Sequence, residues 1–135
     1  MPKVKINNTQ GLVQASGGGI ALFGATETVV PTGGGAQIAE TTSLALCPST
    51  ADAHIIKLPA ITNLDTGHTI LIVNTSATSK EFDLVVPTNT TRMNGVAGTP
   101  AKIDVKENAA VKCIYSGAAN PGWVVVVGDM ATLPA

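Results

Sequence analysis

The chain has 135 residues, room for one domain of ordinary size, and is 44% hydrophobic but only 3% aromatic. Charged residues make up 13%, about half the roughly 25% of an average domain, and the net charge is −1, which excludes a basic nucleic-acid footprint and a polyacidic tail. No apolar run reaches the roughly 20 residues that cross a bilayer as a helix, so no membrane partner is expected.

In chain order, residues 1–40 come first and differ from the rest. The opening MPKVKINNTQ has two lysines and no apolar stretch behind them, so no signal peptide is expected. Glycine triplets at Gly17-Gly18-Gly19 and Gly33-Gly34-Gly35 break up short apolar pieces at 20–23 and 28–31, with no helical period. Such a segment is either a flexible linker or an extended arm that orders on another surface. Val4, Ile6, Leu12, Ile20, Phe23, Val29 and Val30 favour the arm, because a linker has no use for them. The boundary is placed at residue 40, with a second domain over 41–135.

From residue 41 the pattern becomes regular. Strands are expected at 42–47, where Leu44 and Leu46 alternate with Ser43 and Ala45, and at 54–59, which stops at Pro59. TILIVN at 69–74 is apolar on both faces, as a central buried strand requires. The strand at 81–87 places Phe82, Leu84 and Val86 inward and Glu81, Asp83 and Val85 outward. AKIDVKE at 101–107 sets Ile103 and Val105 against Lys102, Asp104 and Lys106. Val111, Cys113 and Tyr115 share one face of the next strand, and WVVVV at 123–127 is again apolar on both faces. Turn chemistry separates these pieces at 48–53, 63–68, Asn94-Gly95, Glu107-Asn108 and Asn120-Pro121-Gly122.

Regularly spaced strands without a 3.6-residue period indicate an all-β fold, an antiparallel β-sandwich or jelly-roll-like domain or a small barrel. Parallel βαβ units are not expected, since no segment supplies the crossover helices. The expected core is Leu44, Leu46, Ile56, Leu58, Ile70, Ile72, Phe82, Leu84, Val86, Ile103, Val105, Val111, Cys113, Trp123 and Val125. The low charge density fits an ordinary β protein with threonine on its strands. It fits better a subunit whose surface is covered by copies of itself or by partners.

Residues able to do chemistry are sparse. His54 and His68 are the only histidines. Asp52-x-His54 is one acid–imidazole pair, short of the three or four ligands of a metal site. Glu81 and Asp83 form a solvent face rather than a general-acid pair. No G-x-S-x-G, phosphate loop or dinucleotide fingerprint is present. The sequons at Asn7, Asn74 and Asn89 are incidental without an export signal. Arg92 is the only arginine, so no basic stripe flanks an aromatic platform for nucleic acid. Cys47 and Cys113 belong to no metal or redox spacing and read as small buried hydrophobes in a reducing compartment, a disulfide between them being the lesser alternative. No catalytic, cofactor or metal site is expected, and no enzyme. Trp123 is either a platform for a sugar or a core anchor, and the core anchor is preferred.

Residues 54–127 carry Leu58-Pro59 at a strand end, Gly67 in the next turn, Val73-Asn74, Pro87, Met93-Asn94-Gly95 and Gly122-Trp123. In this order they resemble the pattern of β-rich modules in tailed-phage structural proteins. Met93 stands where that pattern has isoleucine. The resemblance covers a little over half the chain. It implies a non-enzymatic virion protein: a trimeric capsid-decoration (cement) or head-fibre protein, made in the host cytoplasm. Its partners would be itself, as a homotrimer, and the major capsid protein on the capsid exterior, with residues 1–40 as the attachment arm. The alternative is a fibre or tail appendage, a receptor-binding module in contact with carbohydrate, which an exposed Trp123 would favour. An enzyme and an unrelated bacterial β module are lesser readings.

Overall fold

Strands and turns, with no helix, make up the described residues of a computed structural model, which are 25–97 and 101–127 together with the backbone of 4–7, 11–14 and Gly128. β1 (Val4–Asn7) and β2 (Gly11–Gln14) pair antiparallel as a two-stranded sheet. β3 (Ala25–Thr28), β4 (Ala36–Gln37), β5 (Thr42–Cys47), β6 (His54–Lys57), β7 (Thr69–Asn74) and β8 (Phe82–Val85) alternate between two larger sheets. β9 (Arg92–Met93), β10 (Val96–Ala97), β11 (Lys102–Val105), β12 (Ala110–Tyr115) and β13 (Trp123–Gly128) complete them. The seven-stranded sheet has the order β10-β9-β13-β12-β7-β5-β3 and the four-stranded sheet β11-β8-β6-β4.

The expected antiparallel pairing is corrected. β3, β5 and β7 are parallel neighbours in one sheet, β4, β6 and β8 are parallel neighbours in the other, and β13 pairs parallel with β9. Among the described strands, β7–β12, β12–β13, β8–β11, β9–β10 and β1–β2 are antiparallel. A parallel pair needs a long crossover, usually a helix. Here a strand in the facing sheet does that work: β6 carries the chain from β5 to β7, and β7 carries it from β6 to β8. The chain is therefore wound through both sheets over residues 25–85.

Both sheets contribute to a single apolar cluster. Ile70, Ile72, Val111, Cys113, Trp123 and Val125 come from the larger sheet and Ile56, Phe82, Leu84 and Val105 from the smaller, all buried, with Leu58 and Val86 beside them. Three expected core residues differ. Ile103 packs against the cluster only half-buried, and Leu44 and Leu46 point to the other side of β5, where they are half-buried. Ala45 and Cys47 take the inward positions, fully buried. The phase of β5 is set by its register: Ala45 lies opposite the inward Ile72, and Leu44 opposite the outward Leu71.

The boundary at residue 40 is also corrected. β3 pairs with β5, β4 with β6, and Val29 and Ile38 are buried at 6% and 1% exposure. Glu27 points inward, where its Oε2 accepts the Thr42 hydroxyl at 2.6 Å and the Ala39 N–H at 3.1 Å. The second glycine triplet is a tight turn rather than a joint. Gly35 has φ +86 and donates to Thr32 O at 3.1 Å, and a Cβ there would press on the Lys57 and Ile55 side chains. At Asn94-Gly95 the expected two-residue hairpin is present, both residues having positive φ (50 and 84) between β9 and β10.

Candidate interaction surface

The outward rows of the seven-stranded sheet are its least ordinary feature. Cross-strand register aligns Thr26, Leu44, Leu71, Lys112 and Val126 in one row. Thr28, Leu46, Val73 and Ala110 form the row on one side, and Thr69, Ile114 and Val124 the row on the other. Leu71 and Val126 are 42% and 55% exposed, and Leu44, Leu46, Val73, Ile114 and Val124 are half-buried. Lys112 is the one charged residue in these rows. Strands about 4.8 Å apart, with same-face residues about 6.7 Å apart along each, give this face roughly 400 Å² in projection. Eight of its twelve positions are apolar, and the largest apolar patch of a lone subunit is often a functional surface.

The expectation of a subunit covered by copies of itself rested on the low charge and on strands apolar on both faces. TILIVN and WVVVV are apolar on both faces and β7 is central in its sheet, yet among the described residues only the inward face of each strand carries buried side chains. The doubly apolar pattern marks a face that the described residues leave partly exposed.

The expected arm residues separate. Val29 is core, while Val30 is 50% exposed just after β3. Val4 and Ile6 lie in β1 and Leu12 in β2, with their side chains outside the described residues, as are Ile20 and Phe23.

Trp123 is fully buried, with Tyr115 at 5.7 Å and His68 at 6.5 Å between ring centroids. No ligand can stack on it in this position. Asp52 does not engage His54. Its carboxylate accepts from Lys80 Nζ at 2.8 Å and from the Glu81 N–H at 3.3 Å, and these bonds hold it below the usual carboxylate range. Cys47 and Cys113 are free thiols, each pushed up to about 12 by burial, with Glu27 adding to the effect at Cys47. Two of the motif asparagines act as pins. Asn74 is buried, donates to Lys80 O at 2.8 Å and Val105 O at 2.9 Å, and accepts from the Ser76 N–H at 2.9 Å. Asn94 Oδ1 accepts the Val125 N–H at 2.9 Å and so ties the hairpin to β13.

The outer face of the four-stranded sheet is different in kind. Lys102 Nζ lies 3.2 Å from Asp83 and 3.3 Å from Asp104. The Asp104 carboxyl is held below its usual range by Asp83, with which it shares that ammonium, and by Lys102 itself. No family model and no curated protein matches this chain in sequence.

Proposed function

We propose that the protein is a non-enzymatic structural component of a tailed-phage virion, a homotrimer that decorates the capsid exterior by binding the major capsid protein. The carrying observation is the apolar outer face of β3, β5, β7, β12 and β13, with Lys112 as the single charge in its rows. Three copies that turn this face toward one another gain about 25 cal/mol for each Å² of apolar surface taken from water. The charged face of the other sheet is left outward and keeps the assembly soluble. The two sheets, closed over one core, are read as a β-sandwich. The order of motifs from Leu58-Pro59 to Gly122-Trp123 supports the phage assignment. The free, buried Cys47 and Cys113 fit synthesis in a reducing host cytoplasm. Attachment is assigned to residues 1–24, because 25–40 are committed to the sheets.

Sedimentation equilibrium of the purified chain at micromolar concentration is expected to give three times the chain mass. Co-sedimentation with tailed-phage heads is expected to deplete it from the supernatant. Removing residues 1–24 should leave the trimer intact and weaken head binding at least about tenfold. A stable monomer that ignores heads refutes the proposal.

A further inference from the structure

The outer face of the four-stranded sheet carries a groove of about 390 Å³. That volume is within the roughly 300–1,000 Å³ of small-molecule sites. Its floor is aliphatic, made by Ile55 of β6, Val85 of β8 and Pro87 beyond it. One wall is the turn carrying Gly34 and the other is the turn starting at Thr88. Both walls are already built. The first is closed by the Gly35 N–H to Thr32 O bond at 3.1 Å. In the second, the Thr88 Oγ1 accepts the Thr91 N–H at 3.2 Å and lies 2.8 Å from the Thr91 hydroxyl.

Two lysines border the floor in one cross-strand row, Lys57 and Lys102 on either side of Val85. They are not equivalent. Lys102 is held by Asp83 and Asp104. Lys57 donates to Gly34 O at 3.1 Å, and among the described residues no carboxylate lies within the 4.0 Å of an ion pair. An ammonium has three donors, so Lys57 keeps two for a ligand. Asp83, Thr88 and Asn89 add an acceptor carboxylate, a hydroxyl and an amide around the same groove.

We infer that this groove binds a sugar bearing a carboxylate, with Lys57 pairing the carboxylate and the aliphatic floor taking the C–H face of the pyranose ring. A bare anion leaves the floor unused. A neutral sugar leaves Lys57 without a counter-charge. Only an amphipathic ring with one acidic group and several hydroxyls uses Lys57, Asp83, Thr88, Asn89 and the floor together. The site owes nothing to Trp123 or to the apolar face, so it stands or falls apart from the virion reading.

The test is a nuclear magnetic resonance titration of the full chain with D-glucuronate, D-glucose and acetate. Glucuronate is expected to shift the amides of Ile55, Lys57, Val85 and Thr88, and to bind at least about tenfold tighter than either other probe, the range of one charge-assisted contact. Lys57→Gln should remove that preference while Lys57→Arg keeps it. Val85→Trp, which fills the floor from the solvent side, should abolish binding with the circular dichroism spectrum unchanged. Acetate binding as tightly as glucuronate, glucuronate shifts mapping elsewhere, no response to any probe, or undiminished glucuronate binding by Lys57→Gln or Val85→Trp would each overturn the assignment.

Discussion

On the four-stranded sheet the outward rows are Ile55, Asp83, Asp104 and Gln37, Lys57, Val85, Lys102, so that charged and aliphatic side chains are mixed across the strands. Across β3, β5, β7, β12 and β13 of the seven-stranded sheet the outward rows hold leucine, valine, isoleucine, alanine and threonine around Lys112. Both faces are built of β-strands, and both lie over the same core. What differs is the surroundings each side chain set suits. Paired charges such as Lys102 with Asp83 and Asp104 cost little in water, since solvent screens them. Leucine and valine left in water cost free energy that only a covering surface recovers. The contrast is the basis for proposing association through the apolar face.

The largest perturbation breaks the ground both faces share. Trp123→Ala is expected to cost about 3–5 kcal/mol of folding stability, from lost burial and the cavity left behind. Chemical denaturation measures it, and a loss below about 1 kcal/mol would mean the ring does not anchor the core. Next, Leu71→Lys puts a second cation opposite Lys112 on the apolar face. Association should weaken by about 3 kcal/mol or more, the cost of an unpaired buried charge, while the melting temperature of the separated chain moves little, Leu71 being exposed there. A trimer that survives this change does not use the face. The reverse substitution sharpens the contrast. Lys112→Leu completes the apolar surface and should tighten association by about 1 kcal/mol, seen as a lower dissociation midpoint by sedimentation.

The smallest effect belongs to the charged face. Asp104 has a lowered folded-state pKa, so its contribution is present above the unfolded value, near pH 4, and is lost as pH falls further. Asp104→Asn should cost a few tenths of a kcal/mol at pH 7. It should cost nothing near pH 2, and the difference should shrink in high salt while association is unaffected. A pH-independent difference would show that the Lys102 cluster is not electrostatic in origin.

Turns and single-faced strands were legible from sequence. Asn94-Gly95 forms its hairpin, and Phe82, Leu84 and Val86 point inward as their alternation demands. β5 was misphased because leucine and alanine occupy both of its faces, so its period carried no sign. Size suggested leucine inward, but the register to Ile72 decided for Ala45. Strand direction was illegible for a related reason: alternation says which side chains share a face and nothing about which way the neighbour runs. Residues 25–40 looked like an arm because a glycine triplet interrupts their short apolar pieces, although Val29 and Ile38 bury in the core and β3 and β4 pair with β5 and β6. The apolar face was visible as strands with two apolar sides, and the groove not at all, since Lys57, Val85 and the Gly34 turn meet only after the chain has wound.

That winding bears on how such a chain can change length. Where hairpins build a sheet, one added strand reverses everything after it. Here each circuit returns in the direction it left, as β3, β5 and β7 do in one sheet and β4, β6 and β8 in the other. An inserted circuit would widen both sheets by one strand and leave the antiparallel closing strands β11, β12 and β13 to cap the new edge as they cap β7 and β8 now. Growth comes in whole circuits, and each one extends the apolar face and the charged face together.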